Sequence, residues 1–308
     1  MKGDKRVTTI RESRNDRIFK AFIYSFLIVI LIIVLYPLIY IISASISDPT
    51  LVSSGKMWLW PKGINFDGYK LIFQDDQIWI GYLNTIYYTV LGVLISLAIT
   101  LPAAYALSRR KLVGGNFFMM MFAFTMFFSG GLVPTYLLVK NLGLVNTVGA
   151  MVLPNAAAVW NIIVCRTFFQ VTIPKELEEA AIIDGCSTTK LFFKVVIPLS
   201  MPIIAVMALF YGVGQWNDYF NALIYLSDKE KYPLQMILRQ ILVLQELGND
   251  NMATSISNSA AEAMQHSQSL ADIMKYAIII VSTLPMIIVY PFLQRFFVKG
   301  VMIGSIKG

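Results

Sequence analysis

Charge is what this sequence has least of. Only 14% of its 308 residues are Asp, Glu, Lys or Arg, against roughly 25% in soluble domains, while 57% are hydrophobic. With a mean hydropathy of +0.66, that balance excludes an ordinary soluble enzyme. Histidine is represented by His266 alone, so no histidine-rich metal site can be assembled, and no metal ligand is assigned. The two cysteines, Cys165 and Cys186, fall at or inside the face read below as cytoplasmic, where thiols stay reduced, so no disulfide is expected. A nucleotide-binding loop is missing as well. The nearest stretch, SSGKM at Ser53–Met57, has neither the leading glycine at the required spacing nor a Ser/Thr after the lysine. The chain is therefore expected not to hydrolyse ATP. No Ser/His/Asp set or carboxylate pair occupies one plausible place, which argues against an intramembrane enzyme.

Long charge-free runs take the place of these features. A membrane-spanning helix needs about 20 mostly apolar residues. Six runs meet that length: Ala21–Ser47, Gln77–Ser108, Leu112–Val139, Asn141–Cys165, Val195–Asn217 and Tyr276–Gln294. The expected fold class is an all-α membrane protein with six transmembrane helices. An even number of spans puts both termini on one side. That side receives 17 of the 25 lysines and arginines, from the N-tail, Arg109–Lys111, the Arg166–Lys194 segment and the C-tail. By the positive-inside rule it is the cytoplasm. The net charge of +7 then reports topology and contact with lipid headgroups, not nucleic acid. The domain reading is a basic cytoplasmic tail over 1–20, a transmembrane domain over 21–297 with a cytoplasmic loop at 170–196, and a cytoplasmic tail over 298–308. The first span has a basic flank like a signal peptide, but its apolar core exceeds the usual 7–15 residues, so an uncleaved anchor is expected.

Two outer segments have some substance. Asp48–Asp76 carries Trp58, Trp60, Pro61 and Tyr69, aromatics suited to the membrane interface. Asp218–Ala271 contains the polar run GNDNMATSISNSAAEAMQHSQS and reads as a loop. Prolines 102, 134, 154, 198, 202, 285 and 291 mark breaks or ends of spans. Only one acid, Asp218, lies close to a span's interior. It is the proton or sodium site that an ion-coupled carrier working alone would need.

The cytoplasmic stretch EEAAIIDGCSTTK, Glu178–Lys190, does not belong to a span. Pro174 suits a first helical turn, Glu176, Glu178 and Glu179 place negative charge near the positive end of the helix dipole, and Gly185 supplies a stop after the turn-friendly Asp184. Ala180 and Ala181 are small enough to let a partner approach closely. Ser187 can cap a second short helix, in which Leu191, Phe192 and Val195 form an apolar stripe. The result is a two-helix knuckle. Physics leaves two roles open for it: a hairpin lying on the membrane surface, or a docking element for a partner.

A resemblance favours the second role. Glu179-Ala180-Ala181, Asp184-Gly185, Ile197-Pro198-Leu199 and Pro202, placed between the fourth and fifth of six spans, resemble the cytoplasmic loop of ABC-importer permease subunits. Asn84–Ile86, Pro102–Arg110, Trp216–Tyr219 and the ending QRFFVKGVMIGSIKG are similar to the carbohydrate-uptake, maltose-type branch. The ending resembles members handling oligosaccharides or polysaccharide fragments in Gram-positive bacteria. The resemblance implies a type I ABC-importer permease fold in the bacterial plasma membrane. It implies a second permease subunit in a heterodimer, a cytosolic ATPase dimer, an extracellular solute-binding protein and a sugar substrate. ATP and magnesium would bind the ATPase, and this chain would bind no cofactor. Carried over residue by residue, Glu179, Ala180, Ala181, Asp184 and Gly185 would contact the ATPase. The tail with Gly300, Gly304, Lys307 and Gly308 would be a second contact. Trp216 and Asn217 would lie on the sugar path or serve in packing. A scaffold without transport is the third class of reading.

Overall fold

The structure, a computed structural model, describes residues 13–109, 112–249, 274–292 and 294. Among them every regular element is helical. The longer helices are α1 (Arg14–Ser45), α2 (Asp76–Ser108), α3 (Gly115–Phe127), α4 (Leu132–Asn141), α5 (Val159–Thr172), α6 (Lys175–Ile183), α7 (Met201–Trp216), α8 (Leu234–Asn249) and α9 (Met274–Phe292). Three of these, α1, α2 and α9, are long and apolar enough to cross a membrane.

Helix α1 starts earlier than the first apolar run because Ser13 and Asp16 form a reciprocal cap. The Asp16 amide donates to Ser13 Oγ at 3.2 Å and the Ser13 amide to the Asp16 carboxylate at 3.1 Å. Arg14–Lys20 therefore belong to the same helix as the apolar run that follows. Nearly all of α1 is exposed, and only Ser43, Ala44 and Ser45 at its far end are buried. That end is held by Ser43 Oγ donating to the Leu59 carbonyl at 2.6 Å and Tyr69 Oη to Ser45 Oγ at 2.9 Å.

Helix α2 is the centre of the bundle and packs against α5 and α7. Its buried positions Gly81, Thr85, Tyr88, Gly92, Ser96, Thr100 and Ala104 recur every three or four residues, so they share one face. Most are small, which lets neighbouring backbones come close. At Gly81 an added Cβ would lie 3.3 Å from the Leu234 nitrogen of α8. One turn on, Thr85 Oγ1 accepts the Leu234 N–H at 2.8 Å and satisfies a buried backbone donor. A buried Thr100–Tyr211 hydroxyl pair at 2.6 Å ties α2 to α7.

Three apolar runs are not the single rods that their composition suggests. The third divides into α3 and α4, bent by 111° at a break over 128–131. There Gly131 takes φ +82, a region that costs glycine little. In the fourth, Gly143 at φ +70, Asn146 at φ 60 and Pro154 turn the chain, leaving a short helix Val148–Val152 and then α5. Asn146 has a task in that turn, since its side-chain carbonyl accepts the amides of Ser227 and Asp228 at 3.2 Å each. With 14 residues, α5 is about 21 Å long, short of the roughly 30 Å hydrocarbon core. The fifth run bends by 80° at Ser200, between Pro198 and Pro202, where missing backbone donors interrupt the helical ladder.

One end of the bundle collects the C-terminal ends of α2 and α5 and the start of α3. Its core contains Leu101, Ala104, Tyr105, Ile162, Phe169 and Met207, all buried.

Candidate functional site: a two-helix knuckle

The stretch between α5 and α7 folds as the knuckle its sequence implies. Pro174 is the N-cap of α6, and Glu176 and Glu178 lie in its first turn. Gly185 adopts φ +70 and closes the helix with a paired cap: its own N–H donates to the Ile182 carbonyl at 3.0 Å and the Cys186 N–H to the Ala181 carbonyl at 2.9 Å. The Cys186 bond requires left-handed backbone at position 185. A Cβ built there would meet nothing within 4 Å, so the preference for glycine is one of backbone shape and not of space. Ser187 then accepts the Lys190 amide at 3.3 Å and starts the helix Thr188–Leu191. This helix passes into a π-helical turn over Phe192–Val196.

The knuckle has two faces. Inward, Leu191, Phe192 and Val196 are buried in the bundle-end core, and Ala181 and Cys186 pack against it. The Phe192 and Tyr105 rings lie 5.0 Å apart, and Tyr105 meets Phe169 edge-on at 5.9 Å. Outward, Glu179, Ala180, Asp184 and Gly185 are exposed, and Ile183 is 84% exposed. Of the two alanines, only Ala180 is on the outer surface. Ala181 belongs to the packing.

An ion pair that sequence reasoning missed ties the knuckle to α2. Arg109, the C-cap of α2, pairs with Glu178, and its guanidinium lies 4.0 Å above the Tyr105 ring. Attraction between the partners favours both charges, and removal from water disfavours them. Burial, followed by the neighbouring Glu179, pushes the Glu178 carboxyl above its usual range, and burial pulls Arg109 down to about 10. At that value Arg109 stays cationic at neutral pH. The available signal was the basic end of Pro102–Arg110 beside the paired acids Glu178-Glu179, but sequence separation hides the contact. A cavity of about 480 Å³ lies between knuckle and bundle, lined by Tyr105, Arg109, Phe169, Glu178, Ile182 and Cys186 among others.

The remaining candidate residues lie elsewhere. Trp216 is 4% exposed, its indole N–H donating to the Ser282 carbonyl at 3.0 Å and its ring edge-on to Tyr82 at 5.9 Å. It pins α7 to α9 and offers no open face for stacking. Asn217 is exposed, and its side-chain amide donates to the Val213 carbonyl at 2.8 Å. Asp218 accepts from the Asn221 backbone at 3.1 Å and from its side chain, capping the short helix Phe220–Tyr225. The open aromatic of this motif is Tyr219, 39% exposed, with the Arg239 guanidinium 5.0 Å from its ring. Among the described residues no three His, Cys, Asp or Glu side chains gather as a metal site. Gly300, Gly304, Lys307, Gly308 and His266 lie outside the described residues.

Among the described residues, helices long enough to cross a membrane carry an exposed two-helix knuckle at one end of the bundle, the arrangement of a membrane permease domain. Residues 77–303 match the family described as "Binding-protein-dependent transport system inner membrane component", and the chain belongs to that family, the permease components of ABC import systems. It is 41% identical over 294 residues to the polygalacturonan/rhamnogalacturonan transport system permease protein YtcP of Bacillus subtilis, covering 96% of this chain and 100% of that one. It is 39% identical over 302 residues to Protein LplC of the same organism, covering 98% and 99%. Among solved structures, a bacterial ABC transporter involved in the import of the acidic polysaccharide alginate matches with a TM-score of 0.81 and 36% identity, over 94% of this chain and 100% of the other. Family membership displaces the reading of Asp218 as the site of a lone ion-coupled carrier. It also displaces the scaffold without transport.

Proposed function

We propose that the chain forms half of the translocation pathway of an ATP-driven importer of oligosaccharides, acidic ones in particular. It crosses the membrane six times with both termini in the cytoplasm, beside a second permease subunit. The observation that carries this reading is the two-faced knuckle. Its outer surface, with Glu179, Ala180, Ile183 and Asp184, is open to a cytosolic ATPase, and its inner surface is locked to α2 and the bundle core. Closure of an ATPase dimer then moves the knuckle, and the ion pair and the buried Leu191 and Phe192 pass the displacement to the spans. An extracellular binding protein delivers the sugar at the opposite end.

The acidic substrate class is supported by the polymers named for two relatives, and by Tyr219 with Arg239. An exposed ring offers a stacking surface to a pyranose, and the guanidinium beside it offers paired donors to a uronate carboxylate. Among the described residues Arg239 has no carboxylate partner of its own.

The test is co-purification with the cognate ATPase and second permease, combined with uptake in vesicles. Glu179→Lys and Gly185→Pro are expected to leave membrane insertion intact and to abolish ATPase association and uptake. Normal uptake in both variants refutes the coupling role. For the substrate, a panel of neutral and uronate-bearing oligosaccharides is offered to the partner binding protein in thermal-shift assays. Stabilisation by neutral sugars alone refutes the acidic class.

A further inference from the structure

A second cavity, of about 450 Å³, opens at the knuckle end of the bundle, where α2, α3 and α5 meet. Its lining includes Ser108, Arg109, Gly114, Asn116, Arg166 and Gln170. We propose that this cavity holds the phosphate group of an anionic phospholipid headgroup from the cytoplasmic leaflet.

The first argument is a surplus of donors. Arg166 Nε donates to the Leu107 carbonyl at 3.0 Å, which fixes the guanidinium, and its terminal nitrogens meet no acceptor among the described residues. Arg109 adds a second guanidinium, and its partner Glu178 lies outside this lining. The third contribution is the start of α3. Gly114, in the N-cap position at φ +76, has no side chain to accept from the first turn, and the Asn116 and Phe117 amides find no acceptor among the described residues. Two guanidiniums and the free backbone N–H of Asn116 around one cavity, with the Phe117 amide next along the helix start, match a tetrahedral oxyanion. Arginine binds phosphate through paired parallel donors, and a helix N-terminus adds aligned dipoles. Counting Glu178, the local formal charge is still positive.

The second argument identifies the source of the phosphate. Helix α3 has no buried side chain, and Phe117, Met120, Met121 and Phe124 are exposed. An apolar surface therefore begins at the edge of the cavity and runs along a helix at membrane depth. Free phosphate would use only the polar half of that arrangement, whereas a phospholipid uses both, with its headgroup at the level of the helix ends and its acyl chains along α3. Basic pockets between spans on the cytoplasmic side are suited to such headgroups. The site is separate from the outer face of the knuckle and does not depend on the identity of the transported solute.

The test uses the importer purified as a complex with its partner permease and ATPase, extracted from vesicles of equal parts phosphatidylglycerol and phosphatidylcholine. Retained lipid is counted by mass spectrometry. The wild type is expected to keep phosphatidylglycerol in preference to phosphatidylcholine. Arg166→Gln removes the guanidinium and should weaken that retention about tenfold, as loss of a charge-assisted hydrogen bond does. Asn116→Glu puts a carboxylate into the cavity while keeping the Arg166–Leu107 bond. An acid in a first helical turn is tolerated, so this variant should assemble normally and still lose the lipid. Equal retention of both lipids by the wild type, or unchanged retention in Asn116→Glu, overturns the proposal. Displacement of the lipid by inorganic phosphate at matched ionic strength assigns the cavity to free phosphate and overturns the lipid source.

Discussion

The residue with the sharpest expected phenotype is Gly185, where the paired cap closes α6. Its φ of +70 is the left-handed region, and the space around it is empty. A Cβ therefore fits by volume, and its main opposition comes from the backbone conformation. That opposition is about 1–2 kcal/mol for alanine, partly offset by the ~0.4–1 kcal/mol gained when a glycine leaves the unfolded chain. A net cost near 1 kcal/mol lowers the population of the closed knuckle about fivefold relative to its open forms. Asparagine tolerates the left-handed region and should cost less, and valine, branched at Cβ, should cost more. Proline fixes φ near −65° and removes the N–H that reaches Ile182, so it should cost about 3 kcal/mol or more. The order Gly, Asn, Ala, Val, Pro should appear in the dissociation constant for the cognate ATPase and in ATPase stimulation by loaded binding protein. Insertion and detergent stability of the bundle should stay flat across the series. A flat series in ATPase affinity, or alanine binding better than asparagine, would refute the claim that backbone shape at this position sets the coupling surface.

Four further outcomes are expected. Arg109→Ala and Glu178→Gln, alone and together, should give a coupling of about 1 kcal/mol in a double-mutant cycle on ATPase affinity, at the upper end for partly exposed pairs, and additive effects would remove the proposed tie between knuckle and α2. Phe192→Ala empties a buried position against Tyr105 and should cost about 3–5 kcal/mol, read as a fall in the melting temperature of the purified complex. Gly81→Ala brings a Cβ against the α8 backbone near Leu234 and should cost about 1–3 kcal/mol by overpacking, read the same way. Arg239→Gln should lower uptake of uronate-bearing oligosaccharides while sparing neutral ones, and equal loss of both would make Arg239 structural.

Much of the knuckle was legible because its signals are local. A proline, early acids, a glycine stop and a serine cap act within one or two turns; the acids, the glycine and the serine fall where expected, and Pro174 lies one position earlier, at the N-cap. The apolar runs were also legible, but as depth and not as direction. Composition says that residues 112–139 and 195–217 avoid water, and it does not say that the first bends at Gly131 or the second at Ser200. In the fourth run Pro154 marked a break, but the turn at Gly143 and Asn146 was hidden because its partner, the segment at 227–228, is remote in sequence. The same limit hid the Arg109–Glu178 pair. Trp216 and Tyr219 illustrate another gap: a motif marks a neighbourhood, and only packing reveals which ring is buried against Tyr82 and which is left open beside Arg239.

Helix α1 has a consequence for how the protein is made. Its far end is fastened through Ser43, Ser45 and the aromatic pair Tyr40–Tyr276 at 6.1 Å, and along most of the rest of its length its apolar side chains are exposed. Biosynthesis of this subunit is thereby tied to stoichiometry, since a chain produced in excess of its companions leaves a long, exposed apolar face uncovered by protein. Cellular levels of the protein should follow those of the second permease subunit, and clearance of the orphan should begin at α1.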